Sequence, residues 1–254
     1  MTAVRFAVRT ALIAIGLIVC LPLHYLWKLL RRRSHWPRRF LLWAGFSAGL
    51  DVRIEGRPLA RDVLFVSNHI SWLDILLLGG SAGAAFVSKA EVGRWPGVGW
   101  LARLNDTVFI ARAERGAVKG QADALRSALA SGRPVALFPE GTVSAGGEVL
   151  PFRASLFASL YPPLANLKVQ PVAIDYGNAA PNLAWIEGET TMANALRILS
   201  RGSSIEVRLC FLEPIDPHAA PDRKVLATRG RDAVVAALHS PASAPAPSPL
   251  YGPR

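Results

Sequence analysis

Residues 10–23 (Thr-Ala-Leu-Ile-Ala-Ile-Gly-Leu-Ile-Val-Cys-Leu-Pro-Leu) carry no charge, and a basic cluster follows close behind. No other feature limits the fold as strongly, because so dense an apolar stretch must be covered by protein or by lipid. Extended from Ala7 to Leu30, it supplies enough helix to cross a hydrocarbon core of about 30 Å, with Arg9, His24 and Lys28 near its ends. Arg5 and Arg9 precede the run, whereas Lys28, Arg31, Arg32, Arg33, Arg38 and Arg39 follow it. The positive-inside rule then leaves the rest of the chain in the cytoplasm. A cleaved signal would need small residues after the run, but His24-Tyr25-Leu26-Trp27-Lys28 stands there instead. Pro22 could break the helix, and Phe40–Phe46 is apolar enough to lie in an interface. A two-helix hairpin dipping into one leaflet is therefore the alternative to a full span.

A net charge of +11 suits nucleic acid, an anionic membrane or an acidic soluble partner. Zinc-finger spacing, a recognition-helix pattern and an aromatic–basic ribonucleoprotein motif are all missing, so nucleic acid is set aside. The crowding of basic residues beside the apolar run selects anionic headgroups. Cys20 and Cys210, the two cysteines, lie in an apolar run and a strand-like segment. They suggest neither a disulfide framework nor a metal-ligand set.

Beyond residue 50, short strands alternate with helices. Strands are expected at Val52–Glu55, Val63–Ser67, Ala85–Ser88, Thr107–Ile110, Pro134–Phe138, Val169–Ile174 and Ile205–Phe211. Helices are expected at Ser71–Leu78, Pro96–Leu104, Ala117–Ser131, Phe152–Leu160 and Lys224–Leu238. The alternation argues for an α/β domain whose mostly parallel mixed sheet is flanked by helices. Its functional residues belong in loops beyond the carboxyl ends of the strands. The expected organisation is a membrane anchor with its basic collar at 1–48, a domain at 49–239, and a disordered Pro/Ala/Ser-rich tail at 240–254.

Two motifs occupy such loops. Ser67-Asn68-His69-Ile70-Ser71-Trp72-Leu73-Asp74 leaves an apolar strand and opens an apolar helix. Five residues would not share a face of a regular helix. A histidine just before the helix can fold back onto the carboxylate, which gives the logic of a base and its orienter. The bland alternative is a helix start, with Asn68 or Ser71 as cap and Asp74 facing the positive dipole end. The second motif, Phe138-Pro139-Glu140-Gly141-Thr142-Val143-Ser144, also follows an apolar strand and puts polar groups on a rigid turn. It lacks the glycine spacing and the lysine of a phosphate-cradling loop.

Together the motifs resemble those of the glycerolipid acyltransferases, the 1-acyl-sn-glycerol-3-phosphate acyltransferases among them. Four blocks stand in that family's order: Asn68-His69 with Asp74, Val108-Phe109-Ile110-Ala111-Arg112, Phe138-Pro139-Glu140-Gly141-Thr142, and Val169-Gln170-Pro171-Val172-Ala173-Ile174. Lys89, with Trp95-Pro96 and Gly99, matches the stretch between the first two. The resemblance covers roughly residues 50–215. It implies that His69 and Asp74 are the catalytic pair, and that Asn68, Lys89, Arg112, Glu140, Gly141 and Thr142 serve substrate binding. Arg112 suits an anionic headgroup, since its planar fork can grip two oxygens. Three positions depart from the family pattern: Asp106 stands for a usual glycine, Ala111 for an acidic residue, and Val143 for an arginine. With these departures 1-acyl-sn-glycerol-3-phosphate stays the expected acceptor, and another lysolipid such as lyso-ornithine lipid is the alternative.

The implied reaction passes an acyl group from an acyl thioester, carried by coenzyme A or acyl-carrier protein, to the free hydroxyl of a lysophospholipid, 1-acyl-sn-glycerol-3-phosphate, giving phosphatidic acid. It needs no cofactor and no metal. His69 would act as general base, Asp74 would stabilise the imidazolium, and backbone amides near Ser71 would receive the oxyanion. Lys89, Arg94 and Arg103 would steer an anionic donor. Ser71 and Ser144 are poor nucleophile candidates, since neither sits in a Gly-x-Ser-x-Gly elbow. The implied place is the inner membrane, with the catalytic domain facing the cytoplasm. A non-catalytic lipid binder and a thioesterase are the competing readings.

Overall fold

The structure, a computed structural model, describes residues 2–110 and 117–240. Two helices come first, α1 (Thr2–Leu29) and α2 (Trp36–Ser47). Then follow β1 (Leu50–Glu55), β2 (Val63–Ser67), α3 (Leu73–Ala82), β3 (Ala85–Lys89), α4 (Val98–Leu104), β4 (Val108–Ile110), α5 (Ala117–Ala130) and β5 (Val135–Leu137). The chain continues through β6 (Lys168–Asp175), α6 (Ala180–Leu183), α7 (Thr191–Leu199), β7 (Ile205–Phe211) and α8 (Arg223–His239). The expected tail lies, beyond Ser240, outside the described residues.

The strands form one seven-stranded sheet in the order β1-β7-β6-β2-β5-β3-β4. Every neighbouring pair is parallel except β6 with β7. The fold is thus the mostly parallel mixed sheet flanked by helices that the alternation implies. β2 is buried along its whole length, as an interior parallel strand must be. Its side chains alternate between two cores. Val63 and Phe65 pack with Leu73, Leu77 and Ile174 on the α2–α3 side. Leu64 and Val66 pack with Leu125, Leu129, Phe157 and Val234 on the α5–α8 side. Each such large side chain contributes roughly 1.5–3 kcal/mol relative to exposure.

The order of strands positions the site. β2 lies between β5 and β6, so the loops leaving these three strands emerge side by side. Asn68 fixes that arrangement: its Nδ2 donates to the Ile174 carbonyl and its Oδ1 accepts from the Ile174 amide, each at 2.9 Å. The side chain thereby continues the β2–β6 ladder one residue past the strand.

α1 runs unbroken through Pro22. It packs against α2 with Gly16, Cys20 and His24 turned inward. A Cβ on Gly16 would stand 2.1 Å from Trp43 Cδ1, so only glycine allows this approach. Trp43 Nε1 donates to the Leu12 carbonyl at 2.6 Å, and Arg9 to the Leu199 carbonyl of α7 at 3.2 Å. His24 Nδ1 meets Ser34 Oγ at 2.8 Å, closing the turn between the helices. Arg38 bonds the Gly80 and Ser81 carbonyls at 2.9 and 2.8 Å, satisfying the C-terminal end of α3.

Two expectations need correction. Phe152–Leu160 holds a 3₁₀ segment, Ala154–Leu160, not an α-helix. The stretch between β6 and β7, left unassigned above, contains α6 and α7.

Candidate active site

His69 stands in the loop between β2 and α3, with Asp74 in the first turn of that helix. The loop wraps around the carboxylate. Asp74 Oδ2 accepts from the Ile70 and Ser71 amides at 2.8 and 3.0 Å and from His69 Nδ1 at 2.7 Å. A carboxylate only accepts, so Nδ1 carries the proton and Nε2 the lone pair. Among the described residues, Nε2 has no hydrogen-bond partner. Asp74 is fully buried, while the His69 side chain is 18% exposed. The ring also stacks on Phe138, with centroids 4.1 Å apart and planes at 14°.

Capping alone does not account for this loop. Asn68 is engaged with β6, and no side chain caps α3. Ser71 Oγ is buried without a partner, and Ser144 Oγ accepts from the Gly146 amide. The His69 ring bonds neither serine.

Two further residues hold the pair. Tyr176, just beyond β6, donates its hydroxyl to Asp74 Oδ1 at 2.6 Å. Burial and the neighbouring Asp74 charge raise its pKa well above the usual phenol range, so it remains a donor. Sequence reasoning missed Tyr176. Its position past the carboxyl end of a central strand was the available signal. Glu140 is buried, and its two oxygens accept the His69 amide at 2.8 Å and the Leu150 amide at 3.0 Å. Burial pushes the Glu140 carboxyl up, against the pull of those two amides. The Ser144 amide bonds the His69 carbonyl at 2.7 Å. The second motif is therefore stitched to the first through the His69 backbone.

Of the amides near Ser71 expected to receive an oxyanion, those of Trp72 and Leu73 have no acceptor among the described residues. The amides of His69, Ile70 and Ser71 are all held by carboxylates. Among the described residues the amides of Thr142 and Val143 have no acceptor. They follow Gly141, whose φ of +75° is a left-handed conformation suited to glycine.

Of the residues assigned above to substrate binding, Thr142 and Lys89 are exposed, Lys89 at the end of β3. Asn68 and Glu140 are buried and fully engaged with backbone, which makes them positioning residues. Arg112 lies outside the described residues. Arg94 is exposed, but Arg103 bonds the Gly93 carbonyl at 2.7 Å and stacks over Phe109, so it is not free to steer. Asp106 has a φ of +54°, a conformation that glycine adopts freely and aspartate tolerates. Its carboxylate pairs with Arg133. The departure from glycine thus keeps the turn and adds a neutralised anion.

His69 lines an apolar cavity of about 500 Å³. Leu17 and Leu21 of α1, Phe40 of α2, Leu76 of α3 and Leu101 of α4 contribute walls, and Val143 stands in the lining too. Where the family pattern has a cation, this chain offers an isopropyl group. Among the described residues, no group of three or more metal-ligating side chains converges.

The acyltransferase family model matches residues 50–175. The chain is 34% identical over 258 residues to a lyso-ornithine lipid O-acyltransferase of Brucella abortus (strain 2308), covering 92% of this chain and 94% of that protein. It is 32% identical over 207 residues to a 1-acyl-sn-glycerol-3-phosphate acyltransferase of Neisseria meningitidis serogroup B, covering 78% and 79% respectively. The crystal structure of the 1-acyl-sn-glycerophosphate (LPA) acyltransferase PlsC from Thermotoga maritima matches with a TM-score of 0.67 at 26% identity, over 94% of this chain and 96% of that one.

Proposed function

The chain belongs to the acyltransferase family and acts on lysolipids, and from that premise we propose that it esterifies the free hydroxyl of lyso-ornithine lipid. The observation that carries the chemistry is the 2.7 Å bond from His69 Nδ1 to Asp74. It leaves Nε2 as the base in the wall of an apolar cavity. Nε2 takes the proton of the acceptor hydroxyl as its oxygen attacks the thioester carbonyl. Asp74 balances the imidazolium, and the amides of Thr142 and Val143 receive the oxyanion. Collapse of the tetrahedral intermediate breaks the C–S bond, and the imidazolium protonates the departing thiolate. The products are an ester and a free thiol. The donor is an acyl thioester of coenzyme A or acyl-carrier protein, and its anionic carrier suits the exposed Lys89 and Arg94.

Two observations support lyso-ornithine lipid over lysophosphatidic acid. The similarity to the Brucella protein spans more of both chains than that to the Neisseria protein. Val143 also removes a cation beside the base, which suits a zwitterionic headgroup better than a phosphate monoester.

The reading also places α1 and α2 as a hairpin in the cytoplasmic leaflet of the inner membrane. Among the described residues one helix, α1, is long and apolar enough to cross a membrane. Its contacts with α2 and α7 from Arg9 to His24 support a helix lying along the domain. The test is thiol release from acyl-CoA or acyl-carrier protein with each lysolipid, with products identified by mass spectrometry. Lyso-ornithine lipid should give turnover that His69→Ala abolishes. Preference for lysophosphatidic acid would overturn the acceptor, and full activity in His69→Ala would overturn the mechanism.

A further inference from the structure

Exposed apolar side chains are segregated on this molecule. Among the described residues, every exposed large hydrophobic lies in one of three segments: 4–46, 95–100 and 186–196. The first is the α1–α2 hairpin. The other two are remote from it in sequence. Trp95, Val98 and Trp100 flank and open α4, and Ile186, Met192 and Leu196 lie before and on α7. Scattered surface hydrophobics need no explanation, but these are not scattered.

The three segments wall the same cavity. The hairpin lines it with Leu17 and Leu21, the second segment with Trp95 and Val98, and the third with Ala195 beside Thr191. On α7, Thr191 and Ala195 are four residues apart and form one helical stripe. Met192 and Leu196 form the next stripe round, and they are 72% and 48% exposed. The exposed residues therefore border the cavity on its hairpin, α4 and α7 sides. Two tryptophans with exposed Arg94 beside them have the composition of a membrane–water interface. The basic collar on the hairpin supplies the matching charge for anionic headgroups.

We propose that the 95–100 segment and the outer stripe of α7 are a second bilayer contact, so that membrane-inserted side chains ring the cavity. Acyl chains then pass between leaflet and cavity without crossing water, and the hairpin alone does not set the depth of the site. The surface rests on the lipid-substrate reading for its purpose, but not for its detection.

The test uses the full chain with single cysteines at Trp100, Met192, Ile18 and Asp232, each carrying an environment-sensitive fluorophore. The native cysteines are buried and stay unlabelled. Vesicles of phosphatidylcholine and phosphatidylglycerol carry brominated chains as quencher. Labels at 18, 100 and 192 should be quenched, whereas the label at 232, exposed on α8 across the sheet, should not. Quenching at 18 without quenching at 100 and 192 overturns the proposal, and so does equal quenching at 232. In parallel, the triple variant Trp100→Ser, Met192→Ser, Leu196→Ser should lose roughly tenfold activity on acceptor held in vesicles and none on a short-chain soluble acceptor. An equal loss in both assays would mean that these residues shape the cavity, which overturns the proposal. Quenching as expected with no thiol release from the unaltered protein would sink the enzymatic reading alone.

Discussion

Replacing Asp74 with asparagine isolates the charge of the carboxylate from its geometry. The amide has one sensible orientation. Its oxygen must take the Oδ2 position, since an NH₂ there would face the Ile70 and Ser71 amides and His69 Nδ1–H. The NH₂ then faces the Tyr176 hydroxyl, which can turn to accept. The loop and its hydrogen bonds survive, and only the countercharge to the imidazolium is lost. Two unit charges about 4 Å apart attract by about 4 kcal/mol at an effective dielectric constant near 20. That value suits a pair in which one partner is buried and the other partly exposed. At about 1.4 kcal/mol per decade it corresponds to nearly a thousandfold in rate. The amide dipole returns part of this, so kcat should fall about a hundred- to thousandfold. KM for the acceptor should move less than about threefold, because Asp74 contacts no substrate. The assay is thiol release over a range of acceptor concentrations, with a thermal melt to confirm the fold. Asp74→Asn activity within tenfold of the parent, with an unchanged melt, would refute the role of the carboxylate as countercharge.

Tyr176→Phe removes the donor to Asp74 Oδ1 and leaves the pair itself intact; a hydrogen bond to a charged group is worth roughly 1.5–3 kcal/mol. Activity should fall about tenfold in kcat with KM unchanged, and a rise in KM alone would contradict a positioning role. Val143→Arg restores a cation in the cavity wall beside His69. The activity ratio of lysophosphatidic acid to lyso-ornithine lipid should rise roughly tenfold. A ratio keeps any general loss from mattering, and an unchanged ratio would remove Val143 from the selectivity argument. Glu189 is held down at about 2, first by its hydrogen bond from Arg197. Its folded value lies below the unfolded one, so the pair's stabilisation is complete above pH 4.5 and fades as pH falls towards about 2. Urea melts of parent and Glu189→Gln should differ at neutral pH and converge on acidification. A difference that persists at the acid end would assign the effect to packing.

The sheet was legible because its central strands are continuous apolar runs ended by turn residues. Val63–Ser67 and the core of Lys168–Asp175 need no periodicity to be recognised. α7 was missed although its residues are amphipathic at the helical period: Thr191–Leu199 is nine residues, little more than two turns, which is shorter than the stretch over which such a period is counted. Its exposed positions Met192 and Leu196 are apolar where a helix facing water would be polar. Phe157 and Leu160 are three residues apart and both buried, a spacing that a 3₁₀ turn satisfies as well as an α-helix does. His69 and Asp74 could be paired from their types and positions. The engagement of the His69, Ile70 and Ser71 amides could not be read from sequence, because which acceptor holds them depends on the closed loop. The third support of that loop, Tyr176, arrives from 102 residues away.

The engagement of those amides also divides the labour within the site. Glu140, Asn68 and Tyr176 all contact the protein itself: Glu140 ties the His69 loop to the end of β5, and Asn68 and Tyr176 tie it to the end of β6. The first motif is thereby anchored to β5 and β6 as well as to its own strand, which holds the imidazole still during proton transfer. Groups so engaged cannot discriminate among acceptors. Discrimination falls to the cavity that His69 lines and its border: the wall at Val143, exposed Thr142 next to it in the chain, and the turn that Asp106 completes, whose neighbours Asn105 and Thr107 line the same cavity. A base that requires only a hydroxyl can then serve different headgroups if these surroundings change and the clamp does not. That explains why two of the three departures named above fall at Asp106 and Val143 (the third, Ala111, lies outside the described residues), while Asn68, His69, Asp74 and Glu140 match the family pattern.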